Sequence, residues 1–77
     1  MNTFTVFLTT LGLISARAQV CYGNLNVKFG GAYCGMSDAL DGATHHATED
    51  IAVMRSLPNM TVLVPSDAAS TRWATKY

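Results

Sequence analysis

The polar residues near the middle of the chain are the first candidates for chemistry. Asp41 precedes a glycine, and His45 and His46 follow it within the same loop. The histidine pair is not a natural metal site, because adjacent side chains on a helix diverge by ~100° and no third ligand stands at a diagnostic spacing. One or both histidines could instead cap or solvate the start of a helix. The pattern therefore favours a ligand-binding loop, and we expect no metal ligands in this chain.

This loop is predicted to follow the carboxyl end of a strand. Residues Asn24 to Gly30 alternate apolar with polar side chains, a period of two that is typical of a strand. The loop that follows, Ala32 to Gly42, then lies where open α/β sheets place their ligands. The spacing of Gly30, Gly31 and Gly35 differs from G-x-G-x-x-G, so a dinucleotide site is not predicted.

Two more helices and a strand are predicted after the loop. A helix begins at Thr44 or His45 and ends before Pro58. The apolar run Met60 to Val64 predicts a strand that is covered on both faces, and a last helix follows Asp67. The expected apolar faces of the two helices consist of Ala47, Ile51 and Met54, and of Ala69, Trp73 and Tyr77. The order of helices and strands indicates an α/β protein, and the chain ends inside the last predicted helix, which suggests truncation.

The segment Asn2 to Gln19 has two interpretations. As a signal peptide, its apolar region would be Phe4 to Ile14, with a cleavage site in Ala16-Arg17-Ala18. No lysine or arginine precedes that region, although a positive charge normally does. As a helix, the segment has one apolar stripe at spacings of three and four, formed by Phe4, Phe7, Leu8, Leu11, Ile14 and Ala18. We favour the helix.

Composition limits the classes of function. The chain has 77 residues, of which 49% are hydrophobic and 13% charged, with a formal net charge of zero. This balance gives no electrostatic basis for binding nucleic acid or an anionic membrane, and no apolar run reaches the ~20 residues that span a bilayer. So much apolar surface on a small chain is expected to be covered by another chain or by further sequence. Cys21 and Cys34 are expected to be free thiols in a reducing compartment.

Three motifs resemble the pyrimidine-binding domain of transketolase, a thiamine-diphosphate enzyme. They are D-G-A-T-H at 41–45, E-D-I-A-V-M-R at 49–55 and P-N-M-T-V-L-V-P-S-D at 58–67. The resemblance continues upstream through N-L-N-V-K at 24–28 and T-F-x-V-F-L-T at 3–9, and it is closest to split transketolases of the C-terminal-section type. It implies that residues 1–77 form part of a Rossmann-like domain of the α/β class with a parallel sheet.

The resemblance also implies roles for individual residues. Phe4 and Phe7 match aromatic positions that hold the cofactor pyrimidine. Asp41 and His45 match positions that contact the sugar substrate, with His45 as the catalytic residue that donates or shuttles a proton. Tyr33 replaces a histidine that lies near the substrate phosphate in the family. Thr10 replaces a third aromatic residue that many family members have in the cofactor pocket.

The implied activity is transfer of a two-carbon ketol unit between sugar phosphates, as in the pentose phosphate pathway, in the cytoplasm. Thiamine diphosphate would be the cofactor, with Mg²⁺ held by a diphosphate-binding domain or subunit that is absent from this chain. Family sites form between subunits, so a homo-oligomer or hetero-oligomer is expected. The isolated chain is expected to be inactive, because the glutamate that activates the pyrimidine would lie upstream of Met1.

Other interpretations stay open at this point. Deoxyxylulose-5-phosphate synthase shares D-G-x-T-H, and the beta subunits of 2-oxoacid dehydrogenases share the later helix and strand. A small secreted binding protein, cleaved after Ala18 and bridged from Cys21 to Cys34, is the alternative from another class. A non-functional remnant of a longer gene is the third.

Overall fold

The computed structural model describes all residues from Met1 to Tyr77. The chain forms two short strands and several short helical segments. The strands are β1 (Asn2–Phe4) and β2 (Gly30–Ala32). The helices are α1 (Thr5–Thr9), α2 (Leu13–Ser15), α3 (Asp50–Arg55) and α4 (Ala68–Ala74). A π-helical turn (Ala16–Cys21) extends α2, and a 3₁₀ turn (Gly42–His45) precedes α3. No helix is long and apolar enough to cross a membrane.

The two strands pair in parallel and make the fold an α/β fold. Asn2 lies opposite Gly30, and Phe4 lies opposite Ala32. Parallel neighbours need a long crossover connection, which α1, α2 and the π-helical turn supply here. The Thr5 hydroxyl donates to the Ala32 carbonyl oxygen at 2.8 Å and so joins the start of α1 to the end of β2. This arrangement confirms the expected fold class, a partial parallel-sheet domain of the Rossmann-like kind.

A small core lies behind the sheet. Five buried residues form it, namely Leu8, Ala16, Cys21, Met54 and Leu57. Leu8 comes from α1, Met54 from α3, and Cys21 from the end of the π-helical turn, so the core joins both halves of the chain. The first eighteen residues are therefore part of the packed fold, as expected if they form a helical element of the domain. Cys21 is buried and Cys34 is exposed, and both are free thiols.

The prediction of a single amino-terminal helix from the apolar stripe is wrong. The segment breaks after Thr9, and a turn separates α1 from α2. The hydroxyl groups of Thr9 and Thr10 donate to carbonyl oxygens one turn earlier, a bond that competes with regular helix geometry. After the break the stripe no longer faces the core, so Leu11 and Ile14 are exposed.

Both predicted strands are also corrected. The strand expected at Asn24 to Gly30 is observed only from Gly30 to Ala32. Its partner β1 is three residues long, and the first residue of β1, Asn2, pairs with Gly30. Met60 to Val64 is not a strand, because no neighbouring strand offers it backbone partners. The chain order is therefore β, α, α, β, loop, α, α, and not α, β, loop, α, β, α.

The helix predicted from Thr44 or His45 begins at Asp50. Ala47 lies outside it, because its backbone pairs with Gly35 in an antiparallel bridge. Ala47 is still buried, but Ile51 is exposed, so that part of the expected apolar face is wrong. The last helix follows Asp67 as predicted, but it ends at Ala74, so Tyr77 lies outside it and the expected apolar face of Ala69, Trp73 and Tyr77 is wrong. The rings of Trp73 and Tyr77 lie 6.0 Å apart, and both are exposed.

Candidate functional site

Four rings from three separate parts of the chain meet in one cluster. The Phe4 and Phe7 rings contact each other edge to face with centroids 5.6 Å apart. The imidazole of His45 lies 5.5 Å from the Phe4 ring and 5.2 Å from the Phe7 ring, also in edge geometry. The Tyr33 ring stacks on Phe4 at 5.1 Å. Such pairs add to stability beyond the area that they bury.

The parallel sheet explains why these residues meet. Phe4 is the last residue of β1, and Phe7 lies one turn later in α1 on the same face. Because Ala32 is the register partner of Phe4, the next residue, Tyr33, leaves the sheet beside the Phe4 ring. Both strands thus end at one edge of the sheet, where α/β folds place ligands.

A closed loop returns His45 to this edge. Gly35 and Ala47 exchange both backbone hydrogen bonds, each 2.9 Å long, and so bring the two ends of the loop together. Gly35 and Gly42 adopt positive φ angles of 63° and 73°, a conformation that glycine takes without strain. The 3₁₀ turn then places His45 against the two phenylalanine rings.

Asp38 stabilises this loop from the inside through hydrogen bonds, a role that the sequence analysis did not assign to it. Its carboxylate Oδ1 accepts a hydrogen bond from the Asp41 N–H at 3.2 Å. Its carbonyl oxygen lies 2.9 Å from Nε2 of His46, and the residue is only 7% exposed. The spacing D-x-x-D was the available signal, because aspartate commonly bonds a backbone N–H within the turn that it starts.

The two aspartates influence each other's protonation. A hydrogen bond between their carboxyl groups lowers the pKa of Asp38 and raises the pKa of Asp41 from the ordinary value of 3.8. The negative charge of Asp38 adds to the rise at Asp41, whereas His45 lowers the pKa of both. The exposed Asp41 therefore holds a proton more readily than an isolated aspartate, while Asp38 is the charged member of the pair.

The structure brings together three of the four residues singled out from the sequence. Phe4, Phe7 and His45 share the aromatic cluster. Asp41 lies on the same loop, but no hydrogen bond joins it to His45, whose Nδ1 pairs with the Thr44 hydroxyl at 3.0 Å. No group of three or more histidine, cysteine or carboxylate side chains converges as metal ligands would.

Two shallow surface concavities lie away from this cluster. One is bounded by the segment Val62 to Pro65 and by Trp73, and the other by Ile14, Tyr22 and Pro58. Neither contains a residue of the aromatic cluster or of the loop that carries Asp41. The candidate site is therefore the surface formed by the aromatic cluster, outside both of these concavities.

The aromatic surface is partly exposed. Phe4, Phe7 and His45 are each partly buried, so their packing fixes the rings while part of each ring stays accessible. Aromatic side chains provide both a low-dielectric surface and preferred stacking geometry for a flat ring.

Comparison with known proteins gives the same family as the motifs. The family described as "Transketolase, pyrimidine binding domain" matches residues 1–77. Transketolase-like protein 2 of Bos taurus is 45% identical over 73 residues, which cover 88% of this chain and 12% of that protein.

Two microbial relatives are parts of divided enzymes by name. The putative transketolase C-terminal section of Methanocaldococcus jannaschii is 38% identical over 71 residues, covering 92% of this chain and 22% of that protein. The 6-deoxy-6-sulfo-D-fructose transketolase subunit of a Clostridium species is 38% identical over 73 residues, which cover 95% of this chain and 23% of that protein. The chain thus spans less than a quarter of the length of each of these relatives. By its match along the whole sequence, this chain belongs to the transketolase pyrimidine-binding domain family.

Proposed function

We propose that this chain supplies the pyrimidine-binding wall of a thiamine-diphosphate-dependent transketolase that moves two-carbon ketol units between sugar phosphates. The family implies the use of thiamine diphosphate. The observation that carries the proposal is the convergence of Phe4, Phe7 and His45 at the carboxyl edge of the parallel sheet.

Phe4 and Phe7 hold the aminopyrimidine ring in this proposal. Their edge-to-face packing fixes both rings, so binding a third ring costs little further side-chain entropy. The aromatic rings provide an apolar surface that disfavours charge beside the ligand. Thiamine diphosphate, when bound, would supply the nucleophilic thiazolium carbon that the chemistry at the ketose carbonyl group requires.

Asp41 and His45 face the substrate in this proposal. Asp41 is exposed, and its carboxylate accepts a hydrogen bond from a sugar hydroxyl group. His45 lies against the Phe4 and Phe7 rings, and in this proposal its imidazole shuttles a proton to or from the sugar oxygen. Asp38 orients Asp41 through its backbone hydrogen bond.

The remaining parts of the site come from a partner in this proposal. Several relatives are named as subunits or as a C-terminal section, which supports a separate subunit that carries the diphosphate and Mg²⁺ ligands. The chain alone is then inactive, and it works in the cytoplasm as part of a larger assembly. The names of relatives include an apulose-4-phosphate and a sulfofructose transketolase, so the sugar class is broader than pentose phosphates.

Calorimetry tests the proposal. Thiamine diphosphate with Mg²⁺ is titrated into the purified chain, and then into the chain mixed with the diphosphate-binding section of a split transketolase. We expect no tight binding by the chain alone, and binding together with ketol transfer by the mixture. Phe4→Ala and Phe7→Ala should weaken binding by the mixture, whereas Leu11→Ala is the control, because Leu11 is 80% exposed and outside the cluster.

Two results would contradict the proposal. Tight stoichiometric binding by the chain alone would show that no partner is needed. Unchanged binding in both phenylalanine variants would show that these rings are not the site.

A further inference from the structure

The adjacent histidines His45 and His46 use different ring nitrogens in their hydrogen bonds. Nδ1 of His45 lies 3.0 Å from the hydroxyl oxygen of Thr44. Nε2 of His46 lies 2.9 Å from the backbone carbonyl oxygen of Asp38. A neutral imidazole has one nitrogen that donates and one that accepts, so each of these bonds constrains which nitrogen of the ring carries the proton.

His46 carries its proton on Nε2. A backbone carbonyl oxygen can only accept a hydrogen bond, so the nitrogen that faces Asp38 must be the donor. Because this bond joins His46 to the inside of the loop, its donating nitrogen is used to hold the loop together. The role of His46 is therefore structural.

The hydroxyl group of Thr44 has two neighbours but only one proton. The carbonyl oxygen of Asp41, at 3.4 Å, can only accept, whereas Nδ1 of His45 can donate or accept. Both contacts are hydrogen bonds only if the hydroxyl group donates to Asp41 and Nδ1 of His45 donates to the hydroxyl oxygen. In the opposite assignment, lone pairs of the hydroxyl and carbonyl oxygens would face each other. The hydrogen-bond pattern therefore places the proton of His45 on Nδ1.

The second nitrogen of His45, Nε2, then carries a lone pair. The His45 ring makes one hydrogen bond, through Nδ1, so Nε2 has no partner within the chain. His45 is partly buried, yet no buried side-chain nitrogen or oxygen atom lacks a hydrogen-bond partner, so Nε2 reaches solvent. An accessible lone pair beside the Phe4 and Phe7 rings can accept a proton from a bound ligand.

We infer that Thr44 is a positioning residue, which holds His45 in the tautomer with its proton on Nδ1 and leaves Nε2 as the proton acceptor of the site. His46 has the opposite tautomer and serves the loop. The assignment of the two tautomers stands on the hydrogen bonds of this chain. The transfer of a proton from the sugar to Nε2 rests on the proposed function.

Nitrogen-15 NMR of the 77-residue chain tests the tautomers directly. A ring nitrogen that carries a proton resonates far from one that carries a lone pair, so proton–nitrogen correlation spectra at a pH where imidazole is neutral distinguish the two forms. We expect the proton on Nδ1 in His45 and on Nε2 in His46. A uniform tautomer for both rings is not expected.

Variants of Thr44 test whether its hydroxyl group sets the tautomer of His45. Thr44 is exposed, so Thr44→Val removes the hydroxyl group without loss of a buried contact. The ratio of the Nδ1–H form to the Nε2–H form of His45 should fall about fivefold, as expected for the loss of one hydrogen bond. Thr44→Ser keeps a hydroxyl group and should keep the ratio. Thr75→Val is the matched control, because the Thr75 hydroxyl donates to the Arg72 carbonyl oxygen and lies outside the loop.

Ketol transfer tests the role of Nε2, with the chain mixed with the diphosphate-binding section of a split transketolase. Because only molecules with a lone pair on Nε2 can accept the proton, kcat should fall about fivefold in Thr44→Val, in step with the tautomer ratio. KM should stay the same. Thr44→Ser should restore kcat, and Thr75→Val should not change it.

Each contrary outcome has a separate meaning. A proton on Nε2 of His45 in the unchanged chain would overturn the inference and leave the proposed function standing. An unchanged tautomer ratio in Thr44→Val would also overturn it, because the hydroxyl group would then not set the tautomer. A shifted ratio with unchanged kcat would overturn the role of Nε2 as proton acceptor. The expected tautomers together with an inactive mixture would support the assignment of the protons and overturn the proposed function.

Discussion

Replacement of Leu8 by alanine should remove most of the stability of this chain. Leu8 is 5% exposed and is the residue that α1 contributes to the core. Truncation of a buried leucine to alanine costs about 2–5 kcal/mol, because contacts are lost and a cavity is left. A single core in a chain of this size rarely supplies more than about 3–5 kcal/mol. With only five residues in the core, Leu8→Ala should leave a large fraction of molecules unfolded at 25 °C.

Urea denaturation followed by far-UV circular dichroism measures this effect. Trp73 fluorescence is a poor probe, because Trp73 is 62% exposed in the folded chain. The matched control is Leu11→Ala, which removes the same atoms from a leucine that is 80% exposed, and should change the free energy of unfolding by no more than about 0.5 kcal/mol. Equal denaturation midpoints for the two variants would refute the packing described for α1.

Three further predictions concern other parts of the fold. Hydrogen bonds from Ser70 lower the pKa of Asp67, so its cap stabilises α4 above pH 3.8, and this stability is lost as the pH falls through the lowered pKa. Protection factors of the α4 amides, which are corrected for the pH dependence of intrinsic exchange, should fall there, and should not fall in Asp67→Asn. Gly35→Ala should destabilise by about 1–2 kcal/mol in urea melts, because Gly35 has a φ of +63° although its added Cβ meets no neighbour. Gly23→Ala, with contacts no closer than 3.6 Å, is the control, and equal midpoints would contradict this reasoning. A chromogenic thiol reagent should modify Cys34 at once and Cys21 only on unfolding, and rapid loss of both thiols would contradict the burial of Cys21.

The fold class and the last helix, which begins after Asp67 as predicted, could be predicted from the sequence, but the strands and the bounds of the other helices could not. Alternation at Asn24 to Gly30 and the apolar run at Met60 to Val64 both satisfy the local pattern of a strand. A strand also needs a neighbouring strand. The neighbour here is β1, which no sequence pattern predicted, and it pairs only with residues from Gly30 onward. The apolar stripe of the first helix failed for a different reason, since threonine hydroxyl groups at Thr9 and Thr10 bond the backbone and end α1.

The candidate site was predicted better than the elements that carry it. The motif resemblance singled out Phe4, Phe7 and His45, and the structure places these residues in contact. Their roles toward cofactor and substrate stay predictions. The stacking of Tyr33 on Phe4 and the hydrogen bonds of Asp38 within the loop were not predicted, because both depend on tertiary geometry that local spacing does not encode.

The most direct test of the proposed site is an intermolecular NOE experiment with the free aminopyrimidine half of thiamine. The site described above predicts cross-peaks from the methyl protons of the ligand to the ring protons of Phe4 and Phe7. Cross-peaks confined to Trp73, beside the concavity at Val62 to Pro65, would contradict it. So would binding without any contact to the two phenylalanine rings.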